Sequence, residues 1–195
     1  MSVELPLYAY EEQVMTLKDT VDENKVAGYL YNGYTIVDSA QVDSAFMWLH
    51  KGIQAFPDRL DLYFGLAATY LYIDQPDMMI YIVEKAMQQE KKNKGQWLWT
   101  ADEPTPDDID YMFERVQEDF ARFWAAEDLE RCERVAQMAV KYYPKRAEYW
   151  NNMGAVAMWK NDKKKAMKYF RKALKLNPND ELIKANIEYI RGIEN

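Results

Sequence analysis

Apolar residues recur at helical spacing along most of this 195-residue chain. The segment YWNNMGAVAMWKNDKKKAMKYFRKALKLNP, residues 149–178, has an amphipathic pattern that predicts helix. Gly154 lies inside that pattern, although a glycine in a helix interior costs about 1 kcal/mol relative to alanine. We therefore expect a close packing contact at Gly154 that offsets this loss.

A repeat explains the glycine. From Ala147 onward, the chain matches the spaced pattern of W, L and G, followed by A, F, A and P. The matching residues are Trp150, Met153, Gly154, Ala166, Phe170, Ala173 and Pro178. Only Ala157 departs from it, because a tyrosine is usual there. The segment resembles a tetratricopeptide repeat, and the resemblance implies two helices that cross tightly at Gly154.

Weaker copies precede this one at a period of 34 residues. One begins near residue 113, with Cys132 in a small-residue packing position and Pro144 at its end. Another begins near residue 26, with Gly33 and Pro57 as its anchors, and the next begins near residue 60. The prediction is two contiguous copies at 26–93, an insertion at 94–112 and two contiguous copies at 113–180.

The ends of the chain also carry helical patterns. Ile183, Ile187 and Ile190 predict a capping helix within residues 181–195, since the last repeat needs a cover with a polar outer side. Residues 1–25 predict a further N-terminal helix. The resemblance implies an all-α fold, a right-handed α-solenoid of helix-turn-helix repeats with this C-terminal cap.

The insertion contains Trp97 and Trp99 in a segment without helical periodicity. Two interpretations stay open: the tryptophans fill a gap between the repeat pairs, or they are exposed and grip a ligand such as an apolar peptide or a sugar. The end of the insertion predicts a helix start, with Thr105 as N-cap and Asp108 completing a capping box. Calcium binding is disfavoured, because the spacing and the glycine of an EF-hand loop are missing.

The resemblance also implies where a partner binds, because the first helices of successive repeats line a concave groove in this family. The residues predicted to contact the partner are Tyr34, Phe64, Gln117, Trp124, Asn151 and Met158. The groove is apolar and aromatic with an acidic margin, which favours a neutral or basic apolar segment of a protein or peptide. The alternative is that some of these aromatics belong to the core.

Charge is distributed unevenly. The chain carries a net charge of −7, which disfavours nucleic acid as a partner. Residues 160–175, however, hold eight Lys or Arg and one Asp, a local charge of +7 that leaves −14 for the remainder. The run is predicted to lie mainly on the second helix of the last repeat. A solvated convex face is one interpretation, and docking to an acidic protein or an anionic membrane is the other.

Catalysis is disfavoured, and no cofactor or metal is predicted. His50 is the only histidine and Cys132 the only cysteine, so no histidine pair can bind a metal and no disulfide can form within the chain. Cys132 is predicted to be a buried structural thiol. The longest apolar run, at residues 64–73, is too short to span a membrane. We expect a cytoplasmic location by default, and a periplasmic or secreted one if a signal peptide has been removed.

Two functions fit the sequence. The first is a noncatalytic protein-protein interaction scaffold that binds a peptide or partner protein in the groove. The alternative is a small-ligand or carbohydrate-binding accessory protein that uses the loop and groove aromatics. Association of the chain with itself through the groove, giving a homo-oligomer, is a third option.

Overall fold

The described residues fold into helices only. A computed structural model describes residues 39–57, 59–92 and 110–192, in two compact units that divide between residues 109 and 110. In the first unit lie α1 (Ser39–Ala55), α2 (Leu60–Tyr72) and α3 (Pro76–Lys92). In the second lie α4 (Tyr111–Ala125), α5 (Leu129–Tyr142), α6 (Ala147–Trp159), α7 (Lys163–Leu176) and α8 (Glu181–Gly192). The predicted all-α fold is confirmed for this part of the chain, whereas the predicted N-terminal helix and the insertion loop lie outside it.

Three helical hairpins share one type of turn. The helix pairs α2–α3, α4–α5 and α6–α7 are each joined by a residue with positive φ, namely Asp74 (55°), Glu127 (56°) and Asn161 (60°). In the α6–α7 hairpin the Asn161 N–H donates to the Met158 carbonyl at 2.8 Å, and the next N–H reaches back to Ala157 at 2.9 Å. This Schellman motif satisfies carbonyls that the helix end leaves unpaired. Because the same turn recurs, the first helix of each hairpin ends at an equivalent position.

A second contact recurs at the repeat boundaries of both units. Trp150 Nε1 donates to the Pro144 carbonyl at 2.8 Å, and Tyr63 Oη donates to the Pro57 carbonyl at 3.1 Å. In both cases the donor lies six residues after the proline. The aromatic residue near the start of a first helix is therefore tied to the proline that precedes it.

Gly154 lies at a close contact between α6 and α7. A Cβ added to Gly154 would lie 2.8 Å from Phe170 Cζ and closer still to Cε1 and Cδ1 of the same ring. Phe170 is 2% exposed, so its ring has no free space into which it can move. The expected close packing at Gly154 is confirmed.

The helix α8 covers the last hairpin. Ile183, Ile187 and Ile190 are buried in a cluster with residues of α6 and α7 that includes Phe170. The opposite side of α8 faces solvent, with Leu182 and Tyr189 about two-thirds exposed at 64% and 65%. The predicted capping helix is confirmed.

The start of α4 corrects one prediction. The helix begins at Tyr111, and its N-cap is Asp110, whose Oδ1 accepts a hydrogen bond from Phe113 N at 2.9 Å. The prediction of Thr105 as the N-cap of this helix is therefore wrong. An ion pair from Arg146, at the start of the following repeat, holds the Asp110 carboxylate at this position.

Candidate partner-binding surface

Two tryptophans meet at the ends of consecutive first helices. Trp124 lies in the last turn of α4 and Trp159 ends α6. Their ring centroids are 4.5 Å apart, their planes are inclined by 62°, and each side chain is 37% exposed. The pair combines a large apolar area with partial exposure, as do the residues that dominate binding energies at protein interfaces.

A buried ring supports the pair from within α4. Phe120, one turn before Trp124, is 8% exposed and stacks on it with a centroid distance of 5.7 Å and an interplanar angle of 25°. Aromatic residues at i and i+4 on a helix lie on the same face. The rings of Phe120, Trp124 and Trp159 form the feature that we call the aromatic patch.

Two side-chain amides extend the surface along the same helices. Gln117 Oε1 accepts a hydrogen bond from Asn152 Nδ2 at 2.8 Å, and Asn151 Oδ1 accepts one from Asn186 Nδ2 at 2.9 Å. Both bonds join a residue to the one 35 positions later, in the next first helix or in the cap. The NH2 groups of Gln117 and Asn151 have no partner among the described residues. They can donate to carbonyl groups of a bound peptide.

The remaining predicted contact residues occupy different places. Met158 is half-buried and packs against the core cluster of α6, α7 and α8, so part of it serves the core. Phe64 is half-buried on α2 in the first unit. Tyr34, Trp97 and Trp99 lie outside the described residues, so the ligand loop and the groove contact at Tyr34 stay predictions.

The margin of the surface is acidic. Glu114 and Glu118 on α4 are exposed, and Glu148 at the start of α6 is half-buried. Asp119 on α4 is 1% exposed, and its Oδ2 accepts a hydrogen bond from Arg115 Nε at 2.9 Å. Burial raises the pKa of Asp119, and the charge of Arg115 opposes that rise.

Sequence reasoning missed Trp159. The predicted groove residues of one repeat lie 34 positions after those of the repeat before it, which makes Met158 the counterpart of Trp124. The contact itself spans 35 residues, as do the two amide bonds described above. A search for like residues 35 positions apart could have found Trp159.

The one thiol of the chain, that of Cys132, lies on α5. Cys132 is buried, and burial together with the charge of Asp128 raises the pKa of its thiol to about 11, so the thiolate nucleophile is suppressed. The predicted burial of this thiol is confirmed. Within residues 39–57, 59–92 and 110–192, no three His, Cys, Asp or Glu side chains lie close enough to hold a metal ion. No helix in these ranges is both long and apolar enough to cross a membrane.

The described chain thus consists of helical hairpins with a recurring turn, followed by a cap. Residues 147–180, the α6–α7 hairpin with its following turn, match the family model of the tetratricopeptide repeat. The predicted relationship to tetratricopeptide repeat proteins is therefore confirmed, with these 34 residues as the segment that matches. No curated protein matches the chain in sequence.

The solved structures that are similar to the chain include the following three. One comes from the functional characterization of Pseudomonas aeruginosa pilF, with 17% identity, a TM-score of 0.45, and coverage of 88% of this chain and 70% of that one. The crystal structure of MamA protein has 16% identity and a TM-score of 0.46, covering 85% and 80%. YrrB, described as a TPR protein with an unusual peptide-binding site, has 12% identity and a TM-score of 0.27, covering 91% and 96%. At these levels the similarities identify neither a partner nor a binding site for this chain.

Proposed function

We propose that this protein is a noncatalytic scaffold that binds a peptide or a segment of a partner protein on its first helices. The observation that carries this proposal is the aromatic patch, in which Trp124 and Trp159 contact each other while each remains 37% exposed. Large aromatic side chains that stay partly exposed at one place are typical of binding surfaces.

The side chains around the patch favour an extended peptide. The NH2 groups of Gln117 and Asn151 are donors without described partners, and they lie on the helices that carry the tryptophans. An apolar side chain of the peptide would pack on the tryptophans, and its backbone carbonyls would accept from the amides. The family's use of first helices for partner binding supports the same placement.

The charge of the exposed side chains on α4 narrows the class of partner. Because Glu114 and Glu118 are exposed on α4, the helix that carries Trp124, an acidic segment lying along this helix would be repelled and a neutral or basic one favoured. A second copy of the chain is the partner if the protein associates with itself through this surface.

The test compares what copurifies with the tagged chain from its native cells. The Trp124→Ala/Trp159→Ala variant removes the patch, and Leu182→Ala/Tyr189→Ala removes two exposed apolar side chains from the outer side of α8 as a matched control. Circular dichroism checks that each variant is folded. We expect a partner captured by the wild type and the control to be lost from the patch variant. Equal capture by all three proteins, or no capture by any, would contradict the proposal.

A further inference from the structure

A cationic pocket lies on the second helices of the second unit. It has a volume of about 1390 Å³ and is lined mainly by α7, with contributions from α5, α6 and α8. Seven Lys and Arg side chains line it, five of them from α7, and its lining contains no Asp or Glu. The candidate partner-binding surface, in contrast, consists of first-helix residues and has an acidic margin.

Most of the pocket's cations have no carboxylate partner among the described residues of the second unit. Lys164, Lys168, Arg171, Lys175 and Arg191 make no ion pair with any carboxylate among the described residues. Two cations that do not line the pocket are paired, Lys160 with Glu133 and Lys184 with Glu181 at 2.7 Å, whereas Lys145 and Lys165 have no carboxylate partner among the described residues. Because the lining contains no carboxylate, an anion from outside would meet several uncompensated positive charges there.

The arrangement of charge on α7 opposes folding of the free protein. Lys164 and Lys168, Lys168 and Lys172, and Arg171 and Lys175 are like-charged pairs at i and i+4, which destabilise a helix. A bound anion would remove this repulsion. Removal of these charges should therefore raise the stability of the free protein and weaken its binding of anions.

The floor of the pocket is apolar. Met153 and Met167 are 5% and 9% exposed, and above them Trp150 and Tyr169 lie with ring centroids 5.8 Å apart. The Trp150 ring is fixed by its hydrogen bond to the Pro144 carbonyl, and Lys172 Nζ lies 3.4 Å from the ring centroid. An apolar side chain can pack on this floor while acidic groups beside it reach the surrounding cations.

We propose that this pocket binds an acidic peptide segment that carries an apolar anchor side chain. The cations of the pocket would pair with the carboxylates of the peptide, and the apolar floor would contact its anchor side chain. A peptide presents carboxylates and an apolar side chain together, whereas DNA or an anionic membrane surface presents its negative charge without such a side chain. The proposal is independent of the function assigned to the aromatic patch.

The test measures fluorescence anisotropy of a labelled twelve-residue probe, of Glu and Asp around two central leucines, against the full chain. Lys168→Gln/Lys175→Gln removes two pocket charges, and Lys145→Gln/Lys165→Gln removes two exposed lysines that do not line the pocket. We expect about a tenfold loss of affinity in the pocket variant and less than a twofold loss in the control. The Trp124→Ala/Trp159→Ala variant should bind the probe as the wild type does, which separates this site from the aromatic patch.

Two further probes test the chemistry of recognition. A probe with Gln and Asn in place of Glu and Asp should lose binding, and one with serines in place of the leucines should bind more weakly. The pocket variant should melt at the same temperature as the wild type or higher, so its loss of binding does not arise from unfolding. Equal losses in the pocket and control variants would overturn the proposal. So would phosphatidylserine vesicles or double-stranded DNA that bind more tightly than the probe and depend on Lys168 and Lys175.

Discussion

Replacing Gly154 by alanine is expected to destabilise the second unit, although the same change stabilises most helices. Helix propensity alone would raise the free energy of unfolding by roughly 0.5–1 kcal/mol. The new Cβ, however, would lie 2.8 Å or less from three atoms of the Phe170 ring, which is 2% exposed. Overpacking of this kind costs about 1–3 kcal/mol. The net expectation is a loss of about 1–2 kcal/mol.

Urea denaturation followed by far-ultraviolet circular dichroism measures this loss. Gly192→Ala is the matched control, because a Cβ at Gly192 would have no neighbour within 4 Å; its unfolding free energy should stay unchanged or rise. The double variant Gly154→Ala/Phe170→Leu should be less destabilised than the sum of the two single variants, by roughly 1 kcal/mol, since the smaller side chain relieves the clash. A Gly154→Ala protein as stable as the wild type would refute the packing argument.

Three further predictions concern the turn between α4 and α5, the buried side chain of His50 and the capping helix α8. Glu127→Gly should raise the unfolding free energy by about 1 kcal/mol in urea denaturation, because glycine adopts the positive φ of 56° without the strain of a side chain; a lower stability would contradict this. Burial lowers the pKa of His50 from 6.5 to about 4, so between pH 7 and 5 this side chain becomes protonated in the unfolded state only. Acidification over this range should therefore lower the free energy of unfolding by about 2 kcal/mol more in the wild type than in His50→Gln. Parallel pH profiles of the two proteins would exclude His50 as the origin of the pH dependence. Ile190→Ala should lower the free energy of unfolding by roughly 2–5 kcal/mol in thermal denaturation, since Ile190 of α8 is fully buried against α6 and α7; a loss below about 1 kcal/mol would show that α8 does not cover the hairpin tightly.

The parts of the fold that could be predicted are those that one helix pattern encodes. The packing roles of Gly154 and of the isoleucines of α8 can be predicted from their spacing alone, because the contacts they make follow from the period of a helix and the period of the repeat. The start of α4 could not be predicted in this way. Thr105 and Asp110 are both good N-cap residues, and the ion pair of Asp110 with Arg146, 36 positions later, is a tertiary interaction.

The candidate sites show the same division. The 34-residue repeat register leads to Trp124 as a candidate but misses Trp159, because neighbouring first helices meet at an offset of 35 residues. The positive charge of α7 is visible in the sequence as a run of lysines. That it surrounds a pocket depends on Lys141 of α5 and Arg191 of α8, which only the packing of the helices brings to α7.

The most direct test of the central claim starts from unselected peptides and can be made before any partner is identified. Peptides are selected from a random library for binding to the full chain, and their affinities are then measured for the wild type, Trp124→Ala/Trp159→Ala and the control Leu182→Ala/Tyr189→Ala. If the aromatic patch binds the partner, the tightest peptides are apolar and neutral or basic, and they lose roughly tenfold or more in affinity for the patch variant while the control binds them as the wild type does. Selected peptides whose affinity is the same for all three proteins would contradict the assignment of the aromatic patch as the partner-binding surface.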